Sequence, residues 1–211
     1  MSNERKIIIL SVLAAGLFLL TGWLFLQRGE EGDRFAQCRS TNVAGGMEAF
    51  GAPFTLTNQD GERVTDQQVF TKPSILYFGY TYCPDVCPLD TARNASAVEL
   101  LKQQGYDAQG VFLSVDPARD TPEVVKDFTQ SISPDLIGLT GTREETDGVS
   151  KGWRNYYKLQ NEDDPEYYLV DHLTHSYLVL PNVGTVEFFD RAMTPDDMAQ
   201  RTACFLDAAS S

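Results

Sequence analysis

Three textures of hydrophobic and polar positions follow one another along the chain. Residues Ile7 to Leu26 (IIILSVLAAGLFLLTGWLFL) form a run of twenty without a charge, about the span of a bilayer core. Residues 27–50 are polar and glycine-containing and read as a tether. From Gly51 onward, short apolar runs alternate with stretches of helical spacing. Pro53 to Thr57 predicts a strand that enters a turn at Asn58-Gln-Asp-Gly61, and Ser74 to Tyr80 predicts a buried central strand. Pro88 to Gln104 has helical spacing, with a stripe of Leu89, Ala92, Ala95, Ala97, Leu100 and Leu101. Gly110 to Val115 reads as the next strand, stopped by Asp116-Pro117. Thr121-Pro122-Glu123 supplies an N-cap, a first-turn proline and a first-turn acid. Leu136 to Leu139 predicts a short strand, and the capping box Thr142-Arg-Glu-Glu145 a helix through about Tyr157. Tyr167 to Val170, Ser176 to Leu180 and Thr185 to Phe189 predict strands, the last two forming a hairpin through Pro181-Asn-Val-Gly184. Thr194-Pro195 opens a last helix that runs to about Ala208. Strand–helix alternation closed by a hairpin and a helix predicts an α/β sandwich with a mixed sheet, and residues 51–211 suit one domain.

Charge orients this arrangement. A cleaved signal peptide has a shorter apolar region and small residues at its cleavage site, whereas this run ends in Trp23-Leu24-Phe25-Leu26, so residues 7–26 read as an uncleaved transmembrane helix. Arg5 and Lys6 precede it, while Glu30, Glu31 and Asp33 follow alongside Arg28 and Arg34. The positive-inside rule leaves residues 1–6 in the cytoplasm and everything beyond the anchor outside, where disulfides persist. The chain carries 17 Lys and Arg against 30 Asp and Glu, a net charge of −13, and so acidic a surface repels nucleic acid and anionic headgroups.

The candidate chemistry lies in Phe78-Gly-Tyr-Thr-Tyr-Cys83-Pro-Asp-Val-Cys87-Pro88, at the predicted strand-to-helix junction where α/β folds place their sites. Positions four apart on a helix share a face, so Cys83 and Cys87 can aim both sulfurs at one point, and a helix N-terminus favours thiolate over thiol. Such a pair can close a disulfide, cycle as a dithiol oxidoreductase or bind a soft metal. Dithiol enzymes usually carry Cys-x-x-Cys, and the extra residue here suits a metal held by both sulfurs. A four-cysteine site would need Cys38 and Cys204, each isolated in its own neighbourhood. A third ligand must then come from His172 or His175, both within Leu169-Val-Asp-His-Leu-Thr-His-Ser176. In an extended chain residues three apart face opposite ways, so one metal takes only one of them; a hydrogen-bonded structural role is expected of His175.

Three ordered motifs, the Phe78–Pro88 segment, Ser114-Val-Asp-Pro-Ala-Arg-Asp-Thr-Pro122, and Val170-Asp-His172 ahead of a Tyr-Leu strand, closely resemble the SCO/SenC family over nearly all of the chain after Gly51. The resemblance implies a thioredoxin-like fold behind a membrane anchor. It implies one copper per chain, as Cu(I) or Cu(II), on Cys83, Cys87 and His172. It also implies a role at the dinuclear CuA site in subunit II of cytochrome c oxidase. Cys38 and Cys204 lie outside the family's copper motif and, in an oxidising compartment, are expected to join as a disulfide that pins the tether to the domain. Asp116, Arg119 and Asp120 are expected to serve as a strand-end loop and helix entry that support the copper loop from below.

The leading function is therefore a metallochaperone anchored in the inner membrane with its domain in the periplasm, served by a thiol reductant and a copper donor. A thiol–disulfide oxidoreductase that reduces the acceptor's cysteines is the alternative. A peroxiredoxin, suggested by Val86-Cys87-Pro88, ranks last, because Pro84 stands where such enzymes place a threonine.

Overall fold

Strand β3 (Ser74–Gly79) is buried at all six residues, as its near-continuous apolar sequence requires of a strand covered on both faces. It pairs in parallel with β4 (Gln109–Ser114) and antiparallel with β8 (Ser176–Leu180). The computed structural model describes residues 16, 20, 21, 33–41, 43, 46–161, 164 and 167–210. Met1–Gln37 and Cys38–Ser211 form separate compact units. The expected anchor, residues 7–26, lies outside the described residues except at Gly16, Leu20 and Thr21, which are helical. Among the described residues no helix is long and apolar enough to cross a membrane.

The seven-stranded sheet has the order β2-β1-β5-β4-β3-β8-β9, with β1 at Thr55–Asn58, β2 at Arg63–Thr65, β5 at Leu136–Thr140 and β9 at Gly184–Phe189. β3, β4 and β5 run parallel, while β1 and β8 join their neighbours antiparallel, which makes the expected mixed sheet. A separate two-stranded ribbon pairs β6 (Tyr157–Gln160) with β7 (Leu169–His172). The helices are α1 (Asp66–Val69), α2 (Val86–Gln103), α3 (Pro122–Ile132), α4 (Arg143–Gly152) and α5 (Pro195–Ser210). On one sheet face α2 packs beside α5, and Phe112 of β4 meets Phe128 of α3 with ring centroids 4.8 Å apart. On the other face Trp153 lies among Phe70, Phe78 and Tyr177. Phe78 and Tyr177 are fully buried, and a side chain of that size gains about 1.5–3 kcal/mol on leaving water.

Local sequence explains most element ends. Thr121 caps α3 by accepting from the Val124 amide, and Thr142 with Glu145 forms the reciprocal capping box of α4, each cap contributing about 1 kcal/mol. Three expectations change, besides the shift of the strand expected at Tyr167–Val170 to Leu169–His172. The helix from Thr142 stops at Gly152, five residues early, because Arg154 takes a left-handed φ of 51° and Tyr157 begins β6. The apolar stripe of α2 is displaced: Leu89 is 60% exposed, and the buried side carries Cys87, Asp90, Thr91, Asn94, Ala97, Val98 and Leu101. Hydrogen bonds set that roll. Asp90 accepts from the Tyr77 hydroxyl at 3.2 Å and faces Arg93 and Arg191, while the Asn94 amide donates to Ser176 Oγ at 2.8 Å. The third change concerns residues 38–50, read from sequence as tether. Cys38 is joined to Cys204 of α5, as expected; the Ser40 amide donates to the buried Glu187 at 2.8 Å; and the Phe50 carbonyl accepts from Thr185 Oγ1 at 2.6 Å.

Candidate metal centre

The end of β3 delivers the chain to the site through a tight passage. A Cβ on Gly79 would lie 2.8 Å from a Tyr77 ring carbon, 3.0 Å from Phe112 and 3.3 Å from the Cys87 sulfur, so only glycine lets sheet and sulfur approach this closely. The next residues turn, with the Cys83 amide bonding the Tyr80 carbonyl. Two prolines shape the entry to α2. Pro84 steers Cys83 away from helical torsions, whereas Pro88 sits in the first turn of α2, where its missing N–H is not needed. Cys83 therefore precedes the helix. The two sulfurs converge because the loop folds across the helix start, and not through the same-face helical spacing that the sequence suggested.

The Cys87 amide donates to Cys83 Sγ at 3.3 Å. That bond, with the free N–H groups of a helix start, suits a thiolate. Cys83 is held below the ordinary thiol range, chiefly by the hydrogen bond from Cys87, against the cost of burial. Cys87 moves the opposite way, because its hydrogen is engaged by Cys83 and its sulfur is buried. The two shifts favour a single proton shared by the pair, with the charge on Cys83.

His172 closes the triangle as the last residue of β7. Alternation turns Val170 and His172 inward while Leu169 and Asp171 face solvent. Its ring stands nearly perpendicular to those of Tyr77 and Tyr80, with centroids 5.9 Å and 5.8 Å away. The Leu173 carbonyl, which can only accept, lies 2.8 Å from Nδ1. Nδ1 therefore carries the hydrogen, and in the neutral ring the lone pair sits on Nε2, 3.2 Å from Cys87 Sγ. The two sulfurs and this nitrogen lie within 4.8 Å of one another, and among the described residues no other group of three or more metal-ligating side chains comes together. Two thiol sulfurs and a neutral imidazole are a soft donor set that fits Cu(I), or Cu(II) with an added ligand.

The other singled-out residues separate cleanly. His175 lies between the Tyr177 and Phe188 rings, centroids 4.8 Å and 5.1 Å away, and lines a cavity of about 380 Å³ with Phe50, Phe188 and Met193. It takes no part in the triangle, but the expected hydrogen bond is absent, since its Nε2 is buried without a partner. Asp120 supports the loop as expected, accepting from the Thr81 amide at 3.0 Å and the Thr81 hydroxyl at 2.5 Å. The sequence reading missed Tyr77 and Tyr80, whose rings face His172; it treated them only as strand filler. Alternation in β3 was the available signal, since Tyr77 and Gly79 share the face that meets α2.

Comparison with known proteins agrees with this arrangement. The SCO1/SenC family matches residues 43–207. The chain is 52% identical over 178 residues to protein SenC of Rhodobacter capsulatus, covering 84% of this chain and 80% of SenC. It is 34% identical to the human mitochondrial SCO1 homolog, covering 90% of this chain but 63% of that longer protein. Among solved structures, Arabidopsis thaliana ScoI with copper bound superposes with a TM-score of 0.71 at 38% identity, covering 75% of this chain and 99% of that one. Bradyrhizobium japonicum ScoI with copper bound gives 0.67 at 35% identity, covering 74% and 98%. With its thioredoxin-like α/β fold and its Cys-Cys-His triangle, the chain belongs to the SCO1/SenC family.

Proposed function

We propose that the chain is a copper metallochaperone for the CuA site of cytochrome c oxidase subunit II, anchored in the inner membrane by residues 7–26 with residues 51–211 in the periplasm. The observation that carries the copper reading is the triangle of Cys83 Sγ, Cys87 Sγ and His172 Nε2 within 4.8 Å, with the histidine tautomer already set by Leu173. Copper is cargo here. Cys83 offers a ready thiolate, Cys87 releases its proton as copper arrives, and His172 supplies the third donor. Three donors leave the ion open to an incoming ligand, so transfer proceeds by ligand exchange. Oxidation of Cys83 and Cys87 to a disulfide, with two electrons passing to an oxidant and the pair's one sulfur-bound proton released, removes two donors and ends binding. Loading therefore requires a periplasmic thiol reductant and a copper donor. The copper-bound relatives support the cargo, and the acidic surface is consistent with a partner other than nucleic acid.

A second reading is favoured by one feature, the split character of the pair. A Cys83 favoured as thiolate beside a buried Cys87 favoured as thiol is also the arrangement of an attacking and a resolving thiol, which would reduce the acceptor's cysteines. His172 separates the readings. The test is copper stoichiometry of the full-length chain in detergent, reduced and anaerobic, together with His172→Ala and the oxidised protein. One copper per chain, lost on oxidation and weakened in the variant, is the expected result. No copper in the reduced protein, with reduction of a disulfide substrate at a rate indifferent to His172, would replace the chaperone by the reductase.

A further inference from the structure

The three donors come from two segments that are far apart in the chain; Cys87 and His172 are 85 residues apart. Both segments converge on Arg119, in the loop between β4 and α3. Its Nε donates to Asp116 Oδ2 at 2.6 Å and its Nη1 to the Tyr168 carbonyl at 2.9 Å. The guanidinium lies 3.5 Å from the centre of the Tyr168 ring, 4.9 Å from that of Tyr82 and 5.8 Å from that of Tyr80. Tyr82 is the residue before Cys83, and Tyr168 enters the strand that ends at His172. Below them the Tyr168 hydroxyl donates to Asp116 Oδ1 at 2.5 Å, and Asp116 is wholly buried.

We infer that Arg119 is a positioning residue for the metal site, a clamp that holds the Tyr80–Cys83 loop and the Tyr168–His172 strand at a fixed separation. This rests on the reading of the triangle as a copper site. The side chain suits the task because a guanidinium can donate in its plane while its faces stack on rings, which a lysine ammonium cannot do. Nη2 is buried with no oxygen partner, which leaves it to the surrounding ring faces. Asp116 fixes the near edge of the guanidinium, and Tyr168 binds both members of that ion pair, so the cluster is closed on itself. Asp120 holds Thr81 from the same loop, so one short stretch after β4 carries both supports of the cysteine loop. Preorganising donors that lie so far apart in sequence lowers the ordering cost of binding.

The test uses the full-length chain in detergent, comparing native protein with Arg119→Leu and Arg119→Lys. Segment-resolved amide hydrogen exchange of the reduced, copper-free protein reads the clamp directly. Exchange at 80–87 and 168–172 should rise at least ~10-fold in both variants while 75–79 and 110–114 keep native protection. Cu(I) affinity, read by competition with a chromophoric chelator, should fall ~10-fold or more, and the Cu(II) spectrum should broaden into more than one species. Failure of lysine to restore either readout would identify the planar fork, and not the charge, as the working part. Native exchange and affinity in Arg119→Leu, or a rise spread equally through β3 and β4, would overturn the inference. Should Arg119→Leu not fold, Arg119→Lys reads the same arms. Native protein that takes up no copper would sink the functional reading, and the exchange data would still decide the clamp.

Discussion

Two pairs of cysteines meet in this molecule, and they have opposite characters. Cys38 and Cys204 are 166 residues apart in sequence, yet their Cα atoms are 5.7 Å apart and their sulfurs are joined. Cys83 and Cys87 are four apart and remain unjoined. The distant pair links a segment with little core of its own to the last helix, where closing a long loop removes the most freedom from the unfolded chain. The near pair closes almost no loop. Its surroundings are organised around ionisation instead, with a backbone N–H aimed at one sulfur, an imidazole at the other and two tyrosine rings enclosing the histidine. Sequence separation thus distinguishes the structural pair from the chemical one, because entropy rewards the first and electrostatics the second.

The contrast can be broken most forcefully at the distant pair. Replacing both Cys38 and Cys204 by serine should lower the unfolding free energy by about 2–5 kcal/mol, read from urea midpoints, while copper stoichiometry stays native. An unchanged midpoint would mean that residues 38–50 are held by Ser40 and Phe50 without the link. Next in size is the histidine contrast: His172→Ala should weaken Cu(I) binding about 100-fold, equivalent to roughly 2.7 kcal/mol, and His175→Ala only marginally. Equal losses at the two histidines would undo the ligand assignment. Gly79→Ala should then cost about 1–3 kcal/mol of stability, since the added methyl meets Tyr77, Phe112 and the Cys87 sulfur, and a crystal structure should show Cys87 displaced. An undisturbed, equally stable variant would show that the passage has slack.

The smallest effect concerns acid sensitivity. Burial holds the His175 imidazole below its ordinary range, with Asp190 opposing the shift weakly. An unfolded histidine titrates near pH 6.5, so its contribution is complete above about that pH and is lost as pH falls through the lower folded value. His175→Phe should flatten the stability profile between about pH 7 and 5, measured by urea unfolding at each pH. A profile as steep as the native one would assign the acid limb to other groups.

Much of this was legible in the residues. The runs at Ser74–Tyr80 and Ser176–Leu180 and the caps at Thr121 and Thr142 are local signals, and local physics decided them. What escaped notice depended on partners distant in sequence. β6 went unassigned after an apparent helix ending near Tyr157, because Tyr157–Gln160 becomes a strand only through pairing with β7. The stripe of α2 was misplaced because Asp90 and Asn94 are buried by bonds to Tyr77 and Ser176, and apolar spacing cannot register polar contacts. That Cys83 and Cys87 form a pair could be read from their nearness, though not the loop that brings their sulfurs together, and the choice of His172 over His175 rested on family resemblance. Strand parity shows that the two point differently without saying which one faces the sulfurs. Arg119 could be singled out from its motif, yet nothing adjacent to it announced Tyr168.

The polar underside of α2 has a mechanical meaning. A helix seated only on greasy contacts behaves like a shaft in a smooth bearing, free to roll a little at small cost, and each residue step of roll sweeps a side chain through about 100°. Asp90 and Asn94 act as teeth, because their bonds to Tyr77 and Ser176 accept one angular setting. Cys87 rides on that shaft one turn before Asp90 and Thr91. Its sulfur is therefore indexed to the sheet and keeps one aim toward Cys83 and His172.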